Sequence, residues 1–151
     1  MKHFVGGLVI ALVSSVFTFV LGHEPRVSLA AARDFLPAYY AKVVDEQIAE
    51  AVYVQSTTDG YRNFKGKLPE DAKIWWAKVD FVKLSSIDPI SQPNAFRVTR
   101  VIKMVGQPPQ KAHEFTYALV CSDWRARLPF FDCPQESIQL DAVSERSTDF
   151  P

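Results

Sequence analysis

The stretch Glu114-Phe115-Thr116-Tyr117-Ala118-Leu119-Val120-Cys121 decides the fold class. Phe115, Tyr117, Leu119 and Cys121 alternate with Glu114, Thr116, Ala118 and Val120, the period of a pleated strand that buries one face. The same alternation returns downstream, where Ile138, Leu140 and Ala142 are interleaved with Ser137, Gln139 and Asp141. Upstream, Phe96, Val98, Val101, Ile102, Met104 and Val105 form another β-rich segment. It ends at Gly106-Gln107-Pro108-Pro109, a tip that cannot extend a hydrogen-bond ladder. Earlier still, Phe81, Val82 and Leu84 open an extended run closed by the turn signals Asp88-Pro89 and Pro93-Asn94. The expectation is an antiparallel sheet of about four strands joined by short turns.

Ahead of the strands the period lengthens to three and four. Ser28 can cap a helix whose apolar positions are Leu29, Ala32, Phe35, Leu36, Tyr39, Tyr40, Val43 and Val44. Pro37 falls inside it, so the segment either kinks or divides into two helices. Ile48, Ala49, Val52 and Tyr53 suggest a second helix, ending in Ser56-Thr57-Thr58-Asp59-Gly60. Pro69 opens a third, with Glu70 and Asp71 in the first turn and then Ile74, Trp75 and Trp76. Helices followed by a meander predict an α+β domain, with the helices covering one face of a curved sheet.

Near the start of the chain, residues 4–21 are eighteen uncharged, mostly apolar residues behind Met1-Lys2-His3. A helix crosses a bilayer with about 17–25 such residues, whereas a cleavable signal has an apolar core of about 7–15. Val20 and Gly22 are small enough to precede a cleavage site at His23, so both fates stand, with anchoring favoured by length. Residues 1–22 are thus read as a signal-anchor or signal peptide. Residues 23–144 are read as an extracytoplasmic domain, and residues 145–151 as a tail. The domain is membrane-anchored through residues 4–21, or secreted or periplasmic if the leader is removed.

The chain carries 17 Lys and Arg against 17 Asp and Glu. That neutrality lacks the electrostatic footprint of a nucleic-acid binder, and there is no polybasic segment for anionic lipid. Cys121 and Cys133 are the two cysteines, and in an oxidising compartment such a pair is expected to close. A disulfide also bears on the last strand. If Trp124-Arg125-Ala126-Arg127-Leu128 returned as a strand straight after Cys121, Cys133 would be carried some 30 Å away, far beyond the ~7 Å that a disulfide spans. Residues 122–132 are therefore expected to form a looping excursion, with the final strand starting near Glu136. No zinc spacing, phosphate loop or Ser-His-Asp order is present, so no metal or cofactor is expected.

The order of elements, with Ala32-Arg33-Asp34-Phe35-Leu36-Pro37-Ala38-Tyr39-Tyr40, Ile48-Ala49-Glu50-Ala51-Val52-Tyr53 and Trp75-Trp76-Ala77-Lys78-Val79, resembles the nuclear-transport-factor-2-like superfamily. The likeness is to exported members in bacterial membrane-anchored proteins. It implies a cone-shaped α+β fold over about residues 27–144. The superfamily contains isomerases and dehydratases that work with an Asp, Tyr or His inside the cone, and also scaffolds of secretion systems. Asp80, His113, Tyr39 and Tyr117 are the residue types such chemistry uses, but none stands in a motif that carries a catalytic role. Tyr39, Trp75, Trp76, Phe81 and Tyr117 are candidates for a pocket lining or, more simply, for the core. The leading expectation is a non-enzymatic domain that binds another envelope protein. The alternatives are an exported small-molecule carrier or isomerase/dehydratase-like enzyme with an apolar pocket, and an exported inhibitor or immunity protein whose loop at residues 122–132 plugs a target.

Overall fold

The computed structural model describes residues 24–44 and 74–145. One helix packs on an open sheet of four antiparallel strands, an α+β arrangement. The helix α1 is Leu29–Val44, and the strands are β1 (Val79–Pro89), β2 (Ala95–Met104), β3 (His113–Cys121) and β4 (Ile138–Glu145). Each strand pairs with its neighbour in sequence, giving the order β1-β2-β3-β4. The apolar run at 4–21, the expected second helix at 48–53, the start of the third at Pro69 and residues 146–151 lie outside the described residues. Among the described residues no helix is long and apolar enough to cross a membrane.

Helix α1 begins where the Ser28 hydroxyl accepts the Ala31 backbone N–H at 3.1 Å, satisfying a donor that the first turn would otherwise leave without a partner. Ala32, Phe35, Leu36, Tyr39, Tyr40 and Val43 are buried, one stripe at helical spacing. Pro37 sits on the exposed side and the helix runs through it as one element. Interior proline costs about 3 kcal/mol, so the helix is held by the packing of its buried stripe rather than by propensity.

Strand β1 shows why alternation alone misplaces a residue. Its register against β2 slips between Val79 and Phe81 and again between Leu84 and Ser86. Each slip adds one residue and moves the chain to the other parity. The residues turned inward are therefore Val79, Val82, Leu84 and Ile87, and Phe81 is left 39 % exposed. Phe81, expected in a pocket lining or in the core, is at the surface rather than in the core, and lies opposite Lys103 with the ammonium 5.6 Å from its ring.

Residues 74–76 are helical and lead by a turn into β1. Trp76 is buried and Trp75 packs edge-on against it at 4.8 Å, only partly covered. Between β3 and β4 the chain makes two 3-10 turns, Trp124–Arg127 and Gln135–Ser137. The sulfurs of Cys121 and Cys133 are bonded across this excursion, with Cα atoms 5.9 Å apart. The last strand is thus the downstream of the two candidates, and Trp124 belongs to a loop rather than a strand.

Candidate functional site

The inward face of β2 carries Phe96, Val98 and Ile102 at alternate positions, and Arg100 occupies the place between the last two. Its neighbours decide what it does there. Arg100 Nη1 donates to the Tyr40 hydroxyl at 2.7 Å and to the Tyr117 hydroxyl at 3.2 Å, and the two hydroxyls hydrogen-bond each other. The guanidinium carbon lies 4.0 Å from the centre of the Phe115 ring and 5.6 Å from that of Tyr40, within cation–π range. Helix α1, β2 and β3 each contribute one member, so this polar cluster ties the helix to the middle of the sheet.

Burial acts on these groups in opposite directions. It pushes the Tyr117 hydroxyl well above its ordinary value, because a phenolate there would be desolvated, and the Tyr40 hydroxyl adds to the effect. For Arg100, burial opposes the charge, but the attraction of Tyr40 and Tyr117 outweighs it and the pKa is raised. Arg100 Nε is buried with no hydrogen-bond partner among the described residues. The arrangement keeps the Tyr117 phenol protonated and the Arg100 guanidinium charged at neutral pH.

The residues singled out from the sequence do not converge. Tyr39 is fully buried in the core beside Phe35 and Tyr40. Tyr117 is fully buried in the polar cluster. Asp80 lies at the surface where β1 slips, with a carboxylate oxygen 2.6 Å from Lys103 Nζ. His113 is exposed at the start of β3, its ring 6.5 Å from that of Phe115. Trp76 packs on Tyr40 at 6.0 Å as part of the core. Among the described residues no group of His, Cys, Asp and Glu could hold a metal ion. Arg100 and Tyr40 are the members that sequence reasoning missed as a site. The available signal was an arginine at the parity of Phe96, Val98 and Ile102.

Two surface features remain. A groove of about 480 Å³ runs between Pro37, Tyr40, Ala41 and Val44 of α1 and residues 81–84 of β1. The second is the disulfide-closed loop, where Trp124, Phe130 and Phe131 are 63, 94 and 53 % exposed. Its acids are engaged. Asp123 caps the first 3-10 turn through the Arg125 backbone N–H and pairs with the Arg125 guanidinium at 2.6 Å, which holds its carboxyl below the usual range. Asp132 accepts the backbone N–H groups of Ser28 at 3.0 Å and Cys133 at 2.9 Å.

No family model, curated protein or solved structure matches this chain.

Proposed function

We propose that this chain is a membrane-anchored, extracytoplasmic domain of the nuclear-transport-factor-2-like kind, with no catalysis of its own, that binds another envelope protein in a secretion-type or similar assembly. The observation that carries this reading is the filled interior. Phe35, Tyr39, Tyr40, Trp76 and Tyr117 occupy the space between helix and sheet that an isomerase or carrier of this type would keep open for a small apolar molecule. Among the described residues the acid–base candidates are dispersed or already paired, and no two of them share a cavity suited to general acid–base work.

What the surface leaves for recognition is the groove along α1 and β1, apolar apart from Lys83, with Phe81 exposed at its edge. Apolar surface rimmed by polar residues is the usual character of a protein contact. The test is a photo-crosslinking residue at Phe81 in the intact chain, expressed in its native envelope, followed by mass spectrometry of the adducts. One discrete protein adduct, lost when Leu84→Asp spoils the groove, is the expected result. A bound small molecule in place of a protein adduct would move the assignment to the carrier reading. The inhibitor reading draws on the exposed aromatics of the disulfide loop, and the same experiment with the crosslinker at Phe130 examines it.

A further inference from the structure

The chain that emerges from residues 4–21 meets the aromatic loop at one end of the domain. Arg26, five residues beyond Leu21, donates its backbone N–H to the Ala126 carbonyl of the first 3-10 turn at 3.0 Å. Two residues later Ser28 donates its backbone N–H to Asp132 Oδ1 at 3.0 Å, and its hydroxyl bonds the other carboxylate oxygen. A chain extends by at most about 3.6 Å per residue, so whatever its path the loop lies within about 20 Å of Leu21. A domain tethered this closely to a bilayer has the loop within reach of the bilayer's surface.

The loop has the chemistry of that surface. Trp and other aromatic side chains concentrate at the level of the lipid headgroups, where an apolar ring meets a polar boundary. Arg side chains beside them can bury their stems and keep the guanidinium among phosphates. Here Trp124, Phe130 and Phe131 are exposed, Arg26 is exposed on the tethering segment, and Arg125, exposed between the aromatics in sequence, has its guanidinium paired with Asp123. Asp123 and Asp132 are tied into hydrogen bonds within the loop and at the start of α1, so they present less free negative charge. Glu24, Asp34 and Glu136 are further exposed acids near this end, Asp34 with its backbone carbonyl accepting from the Gln135 side chain.

We infer that Trp124, Phe130 and Phe131 dip into the headgroup–acyl boundary of the bilayer that residues 4–21 enter, so that the domain is held at two points rather than swinging on a tether. This rests on the anchored reading above. It also gives the groove a direction. The groove is lined by the second half of α1, while the loop contacts the first turn, and a helix of 16 residues is about 24 Å long. The groove is therefore displaced along α1 from the loop, which leaves it clear of the bilayer for a partner in the extracytoplasmic space.

The experiment uses the full chain reconstituted in vesicles of phosphatidylethanolamine and phosphatidylglycerol, part of whose acyl chains carry bromine near the headgroup. Tryptophan emission is compared between the native chain and Trp124→Phe, a surface change that leaves Trp75 and Trp76 in place. Bromine is expected to quench roughly half or more of the emission contributed by Trp124, and to leave the variant's emission nearly unchanged. In parallel, alkaline carbonate washing reports the anchor alone. If the chain stays in the vesicles and bromine affects native and variant equally, the loop placement is overturned while the anchor stands. If Trp124 is shielded from bromine yet blue-shifted, the loop is covered by protein, such as a second copy, and the lipid assignment is likewise overturned. Release by carbonate would overturn the anchor and the loop placement together.

Discussion

Tyr117 sits at the centre of the sheet with its hydroxyl among Tyr40 and Arg100, and its protonation is coupled to folding. The folded chain holds this phenol neutral beyond the ordinary value of about 10, which is that of the unfolded chain. Its contribution is fully present below pH ~10 and is lost as the pH rises toward the raised folded value, because the unfolded chain gives up the proton first. Chemical denaturation across pH 8 to 11 should show stability falling above about pH 10, and Tyr117→Phe should flatten that fall. An equal fall in the variant would assign it to other groups. Asn94 is a second residue with a disproportionate share. It adopts φ 53°, a left-handed conformation that asparagine tolerates. Its side chain accepts the Val27 N–H at 2.8 Å and donates to the Pro25 carbonyl at 2.8 Å. Asn94→Ala loses both bonds and adds backbone strain, for an expected cost of about 2–4 kcal/mol. Asn94→Gly, which keeps the conformation but not the bonds, should cost less, and the difference between the two denaturation midpoints measures the strain.

At the scale of elements, the paired tryptophans report how the segment before β1 is seated. Trp76→Ala should cost about 3–5 kcal/mol, as expected for a large buried side chain, while Trp75→Ala, at a half-covered position, should cost clearly less. Wild-type melting temperatures for both variants would mean that residues 74–76 contribute little to the core. Helix α1 and strand β3 were legible because their buried residues keep one period: Ala32, Phe35, Leu36, Tyr39 and Tyr40 on the helix, Tyr117 and Leu119 on β3. In β4 the alternation of Ile138 and Leu140 holds only until a slip opposite Ala118 and Leu119, beyond which Val143 and not the expected Ala142 packs on the core. Strand β1 was legible as a strand but not in its facing, since two slips change its parity and no local signal announces them. Phe81 was misplaced for that reason. Arg100 escaped notice for another. A charge within an apolar strand reads as a solvated position, and what makes it an inward one is a pair of hydroxyls 60 residues before it and 17 after. Such partners are assembled by tertiary structure and leave no mark in the sequence around the arginine.

For the molecule as a whole, the Cys121–Cys133 bond closes a loop across a separation of 12 residues and joins the end of β3 to the segment just ahead of the 3-10 turn that leads into β4. Cys121→Ala with Cys133→Ala should lower stability by up to about 3 kcal/mol, chiefly through the freer unfolded chain. The accompanying loss should be rapid amide exchange in residues 122–137 while α1 and β2 keep their protection. Uniform loss of protection would mean that the bond supports the entire fold rather than one corner of it. A different consequence belongs to residues 25–28, which five hydrogen bonds fasten to Asn94, Ala126 and Asp132. If the envelope pulls on the N-terminus, the load reaches these bonds before it reaches α1. They lie close together on one short strand of chain and must give way nearly at once, like stitches in a seam rather than teeth in a zip. Tension arriving from the N-terminal side would therefore be shared between the β1–β2 turn and the disulfide loop, and the helix that carries the groove would be shielded from it.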